Sequence, residues 1–192
     1  MPALSFSKIK FPNLILTGRK PFTIRNDTKR NRKLFRYGAL INFYYRQRAP
    51  ISSKPIDIGG HPVHGFLKGI KCLGCFEMQI TDSWVYFDRA QSGGNIQDLY
   101  RVLSSRGLGR YNHGEKSLDA FSQMDGFENW EEMVNFFQLE KKIHDRLLIL
   151  WEPVNREPIM QRCNKCGKVD EIHLLEQQGN IYFHAGCGGK NG

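Results

Sequence analysis

The chain has 192 residues, enough for one globular core of ordinary size plus a small appendage. Its 28 Lys+Arg against 19 Asp+Glu give a formal charge of +9, which favours polyanionic partners such as RNA, DNA or nucleotides. No stretch approaches the roughly 18 apolar residues of a membrane span, and MPALSFSKIK lacks an apolar signal core, so a cytoplasmic protein with no membrane partner is expected.

In chain order, the first distinctive stretch is ILTGRKPFTIR (15–25), an apolar run that turns through Gly18 into Arg19, Lys20, Thr23 and Arg25. Residues 22–25 alternate apolar and polar, and LINFYYR (40–46) is rich in Ile and aromatics, so both read as strands. NDTKRNRKLFRYG between them reads as a basic connection. From Arg19 to Arg36, eight cations (Arg19, Lys20, Arg25, Lys29, Arg30, Arg32, Lys33 and Arg36) stand against one acid, Asp27. Such a segment is either a solvated connection or a phosphate-contacting edge. Phe35, Phe43, Tyr44 and Tyr45 would then stack bases or lie in the core.

Further along, residues 64–82 are extended and lead into SWVYF, and SGGN marks a break. NIQDLYRVLSSRG (95–107) places Ile96, Leu99, Tyr100 and Leu103 at helical spacing, with Asn95 as N-cap and Gly107 as stop. GLGRYNHGEK reads as a loop and SLDAFSQM as a short helix. NWEEMVNFFQLEK (129–141) has Asn129 as cap, two glutamates in the first turn, and Met133, Phe136 and Phe137 on one face. RLLILWEPV (146–154) suits a buried closing strand. The three tryptophans, Trp84, Trp130 and Trp151, read as core, and His61, His64, His113 and His144 as loop or solvent-facing residues. Residues 1–155 therefore make a mixed α+β domain and residues 156–192 a separate tail.

The tail repeats one pattern. CNKCG (163–167) and HAGCG (184–188) each run ligand, two residues, ligand, glycine, with seventeen residues between the pairs. Ligands three apart converge on one ion only across a tight turn, which the following glycine permits. EIHLLEQQGNIYF between them reads as a hairpin turning at QQGN, bringing the knuckles together. A closed Cys3His zinc-ribbon site follows from Cys163, Cys166, His184 and Cys187, with His173 in reserve and Zn2+ in a structural role. The competing reading is reduced cysteines in a plain tail. Cys72 and Cys75 (CLGC) lie in a strand-like run and read as buried structural thiols, although a metal site shared with Cys163 and Cys166 stays open.

Two readings stand for Lys20 and Thr23. A lysine crowded by Arg19 and Arg25 and partly desolvated has its pKa depressed, so a neutral amine can take a proton from a hydroxyl nucleophile. A Gly-Arg-Lys turn into an amphipathic strand equally needs no catalytic account. Strand alternation alone sets the two residues on opposite faces, unless Pro21 rotates Lys20 back.

LILTGRKPFTIR, the basic link, YGALINFYYR, MDGFENWEEMVNFF and LLILWEPV, in this order and spacing, resemble the ASCH family of the PUA-like superfamily over about residues 4–153. The resemblance leaves residues 88–120 as an insertion and excludes the tail. It implies a PUA-like twisted β-barrel with surrounding helices and a cleft beside the first helix-to-strand turn. It also implies a nucleic-acid- or modified-nucleotide-binding function, for which the density of charge, independently of the resemblance, offers Arg19, Arg25, Lys29, Arg30, Arg32, Lys33 and Arg36 as ligand contacts. Some small bacterial members are amidohydrolases that remove the acetyl group from N4-acetylcytidine. By that resemblance Lys20 is the base, Thr23 the nucleophile and Asp125 the acid, with Glu128 the alternative carboxylate. A third possibility is a protein-interaction module whose zinc tail docks a partner.

Overall fold

The computed structural model of the protein describes residues 2–6, 10–45, 57–58, 61–62, 67–91, 93–139, 142–158, 160–171, 175–178, 181–184 and 187. They fall into two compact units, one of Met1–Pro2, Arg19–Ile41 and Gly69–Pro153, the other of Ala3–Gly18, Asn42–Lys68 and Val154–Gly192. In chain order the elements begin with β1 (Ala3–Phe6), α1 (Lys10–Leu16), β2 (Phe22–Asn26), α2 (Lys29–Leu34) and β3 (Leu40–Tyr45). The short β4 (Asp57–Ile58) and β5 (His61–Pro62), β6 (Leu67–Ile80), β7 (Trp84–Gln91), α3 (Ile96–Ser104), β8 (Tyr111–His113), α4 (Glu115–Met124), α5 (Trp130–Phe137) and β9 (His144–Trp151) follow. The last four strands are β10 (Met160–Arg162), β11 (Val169–Glu171), β12 (Leu175–Gln178) and β13 (Ile181–His184). The architecture is mixed α+β.

The first unit is built on antiparallel pairings in the order β2-β9-β6-β7-β8. β9 is the expected closing strand. Its residues 147–151 are buried throughout because β2 pairs with one edge and β6 with the other. Alternation then sorts the sheet's faces: Phe22 and Ile24 of β2, with Leu148 and Leu150 of β9, face a core that also takes Phe76, Phe87, Leu99, Leu103, Phe121 and Met133. Three helices cover that face. α3 and α5 start at the Asn caps expected for them, where Asn95 and Asn129 side chains accept from the amides of Gln97 and Glu132. Phe136 departs from expectation. It is 56% exposed, and its edge meets the Phe137 ring 5.0 Å away, so only Met133 of the expected face is fully buried.

Two stretches taken for irregular chain are ordered elements. The basic connection contains α2, nucleated where Thr28 caps the Asn31 amide and Asn31 Nδ2 bonds the Asn26 carbonyl. The loop at 107–116 contains β8, whose pairing with β7 sets Trp84 opposite His113 and Tyr86 opposite Tyr111. Trp84 is half-buried there, its ring 5.9 Å from that of Tyr111, whereas Trp130 and Trp151 are buried as expected. His113 is exposed; His144 is half-buried, with Nε2 out of contact with water.

β6 bulges between Cys72 and Gly74, and Gly74 adopts φ 117°. A Cβ at that position would stand 2.6 Å from the Cα of Gly94, so only glycine fits without backbone movement. Cys72 and Cys75 flank the bulge as buried free thiols. Burial pushes the Cys72 thiol up to about 12, as suits a buried structural thiol, and the Cys/His cluster found among the described residues includes neither Cys72 nor Cys75.

In the second unit β1 and β3 run parallel, Ala3 opposite Asn42 and Phe6 opposite Tyr45. Phe6 stacks on Phe43 at 6.3 Å and meets Phe11 of α1 edge-on at 5.5 Å, so Phe43 is a core residue. Phe35, in the first unit, is buried too. The tail forms two antiparallel strand pairs, β10-β11 and β12-β13, the second with Gln178 opposite Ile181; Gly179 and Asn180 of QQGN lie outside the described residues. Tyr45's side chain, His64 and His173 lie outside the described residues. No described helix is long and apolar enough to cross a membrane.

Candidate functional site

The carboxylate named in MDGF is placed by the way α4 ends. Gly126, at φ 88°, donates its amide to the Gln123 carbonyl, and the Phe127 amide donates to the Ser122 carbonyl, both at 3.0 Å. This Schellman turn leaves Asp125 as the capping residue, 2% exposed. A helix C-terminus carries negative partial charge, so a carboxylate there requires a cation. Lys20 supplies it. Its Nζ donates to both the main-chain carbonyl and the Oδ1 of Asp125, and the lysine is itself 1% exposed.

Lys20 reaches this position because it precedes β2 and is followed by Pro21, outside the alternation of the strand. Within β2, Phe22 and Ile24 face the core, which turns Thr23 and Arg25 to the other face. The Ile24 amide donates to the Asp125 carboxylate, and Arg25 attracts it. Burial pushes the Asp125 carboxyl above its ordinary range, while Lys20, Arg25 and the Ile24 amide pull it down. Burial likewise lowers the pKa of Arg25, against the attraction of Asp125. Thr23, 4% exposed and opposite Ile149, sits one residue before the amide that holds Asp125. Glu128 is exposed and its amide is taken by the Glu132 carboxylate, so the acid that meets Lys20 is Asp125. Chemically the cluster offers an ammonium and a guanidinium as donors and a carboxyl able to hold or release a proton, whereas the buried Thr23 hydroxyl has no recorded contact with Lys20 or Asp125.

The remaining cations are divided by their partners. Arg32 is held by Asp27, through Nε at 2.7 Å and through NH2, and by Glu77 at 2.8 Å. Lys29, Arg30, Lys33 and Arg36 are exposed on or just after α2, and Arg19 is exposed before β2. Six residues of helix thus present a cationic surface with no buried side chain of their own.

In the tail, the ligand atoms of Cys163, Cys166, His184 and Cys187 all lie within 4.8 Å of one another. Three soft thiols and one imidazole at that spacing suit a tetrahedral ion, for which Zn–S bonds of about 2.3 Å place sulfurs just under 4 Å apart. The first knuckle is shaped by the Cys163 amide bonding the Lys168 carbonyl at 2.8 Å, and by the Gly167 amide returning to the Cys163 carbonyl at 3.0 Å. The second closes through the Cys187 amide on the His184 carbonyl at 2.9 Å. Burial opposes ionisation of Cys163, yet the amides of Cys166, His184 and Lys165 outweigh it and bring the thiol down to about 6. Contact with Cys166, 3.3 Å from Nδ1, raises the pKa of His184.

The sequence reading missed Asp170. Its Oδ2 lies 3.5 Å from His184 Nε2, the arrangement in which a carboxylate fixes the tautomer and direction of a metal-binding imidazole. The available signal was an acid in the strand directly after the first knuckle.

The chain matches no family model, no curated protein and no solved structure.

Proposed function

We propose that the protein binds nucleic acid, with a PUA-like first unit, phosphates on the α2 cations and a base or modified base recognised by the donors and acceptors around Lys20, Thr23, Arg25 and Asp125. The observation that carries this reading is the exposure of Lys29, Arg30, Lys33 and Arg36 together, while the one cation facing the sheet, Arg32, is neutralised by Asp27 and Glu77. A merely solvated connection gains nothing from concentrating on and just after one short helix four exposed cations, for which no ion pair is recorded among the described residues, whereas a polyanion gains a contact from each. The tail is read as a structural zinc ribbon, because four protein ligands leave no open coordination position. Labelled RNA and DNA oligonucleotides should bind the full chain at low salt, and replacing the four α2 cations with glutamine should weaken binding more than tenfold. Equal affinity for the replaced and native proteins would contradict the reading.

A second reading, amide hydrolysis of an N4-acetylcytidine-type nucleoside, is favoured by the buried contact of Lys20 with Asp125, three residues along the chain from the buried Thr23. Burial raises the Asp125 pKa, so Asp125 can accept the Lys20 proton and leave a neutral amine beside a neutral acid. Lys20 then takes the Thr23 hydroxyl proton as Oγ attacks the acetyl carbonyl, and Asp125 protonates the departing exocyclic amine. Water releases acetate from the acyl-threonine. Release of acetate from N4-acetylcytidine, abolished in Thr23→Ala and in Lys20→Ala, is the expected result. Undiminished turnover in both variants would sink this assignment.

A further inference from the structure

Past the end of α2 lies a shallow groove of about 670 Å3, lined by Lys33, Leu34, Arg36, Tyr37, Leu40 and Pro2 among others. Leu34, Tyr37 and Leu40 are 36%, 44% and 46% exposed, three large apolar side chains left open to water within seven residues. The backbone under them is fixed. Gly38 donates to the Cys72 carbonyl and Cys72 donates to the Ala39 carbonyl, both at 2.8 Å. Lys71, 3.5 Å from Glu152, holds its Nζ 5.1 Å from the centre of the Tyr37 ring. Among the described residues no acidic side chain lines the groove, and Lys33 and Arg36 are exposed at it.

That combination selects one kind of polyanion. A duplex turns phosphates outward and keeps its base faces stacked inside, so it would meet the cations and leave the apolar floor wet. A single strand presents phosphates and unstacked base faces together, and every base has a face that an aromatic ring can cover. We propose that this groove is a subsite for single-stranded nucleic acid, in which one base lies against Tyr37 between Leu34 and Leu40 while flanking phosphates meet Lys33 and Arg36. The proposal rests on the nucleic-acid reading and adds to it the strand class and the side chain that reads it.

The test uses the full chain, its Tyr37→Ala and Tyr37→Phe variants, and labelled oligonucleotides of one sequence, RNA and DNA, single-stranded and duplexed. The native protein should prefer the single strand in either sugar. Tyr37→Ala should weaken single-strand binding about tenfold, leave duplex binding and the melting temperature unchanged, and be rescued by Tyr37→Phe, because the ring and not the hydroxyl makes the contact. Equal native affinity for duplex and single strand, or single-strand binding indifferent to Tyr37→Ala, would overturn the subsite while leaving phosphate binding by α2 intact. Competition by poly-glutamate that is lost in Tyr37→Ala would overturn it in favour of an acidic protein segment. Absence of any oligonucleotide binding would remove this proposal and the broader reading together.

Discussion

Lys20 and Asp125 form the buried ion pair whose loss should cost the first unit most stability. Removing the lysine leaves a buried carboxyl at a helix C-terminus with a neighbouring amide and Arg25 but without its direct cation. Lys20→Ala should therefore lose about 3–5 kcal/mol in urea unfolding, far more than an exposed lysine would. The pH dependence has a definite sign. Since burial holds the Asp125 pKa above its ordinary value of 3.8, the native state keeps a proton that the unfolded chain releases. The contribution is fully present below that value and is lost as pH rises through the raised one. Stability of the native protein relative to Asp125→Asn should accordingly fall over that window, as urea midpoints at a series of pH values will record. In the tail, Asp170→Asn should weaken metal binding about 10–100-fold in a chelator competition, because His184 loses the group that orients it.

At the scale of elements, the turn after α4 decides where Asp125 points. Gly126→Ala imposes a side chain on φ 88° and should cost about 1–2 kcal/mol, read as a lower melting temperature. The helices α3, α5 and the strand β9 were legible in the sequence because caps and periodicity there agree with what tertiary packing requires. Asn95 and Asn129 cap as their positions suggest, and the apolar run of β9 is buried on both faces. α2 was not legible as a helix. Its six residues carry no apolar face, and the only signal was Thr28 three residues before Asn31, which looks like an ordinary turn until the helix is seen. β8 failed for a related reason, since three residues between glycines hold no periodicity and are strand only through pairing with β7. The metal ligands were legible because spacing alone encodes a knuckle. Asp170, which acts through another side chain, was not.

At the scale of the whole molecule, the two kinds of site respond to different perturbations. Four ligands contributed by two separate strand pairs tie metal binding to the folding of the tail. Chelation of the loaded protein should raise amide exchange across 160–171 and 181–187, and restored zinc should reverse it. The proposed polyanion contact rests on the cations of α2 and Arg36. Contacts to phosphate release counterions, so affinity for a polyanion must fall linearly in log-log coordinates as salt rises. The most direct test is the slope of log affinity against log salt for a labelled single-stranded RNA, with the native chain and with Lys29, Arg30, Lys33 and Arg36 all replaced by glutamine. A steep native slope that becomes shallower by about 0.7 for each cation removed is the predicted result. Negligible binding at low salt, or one slope shared by both proteins, would contradict recognition of nucleic acid by this helix.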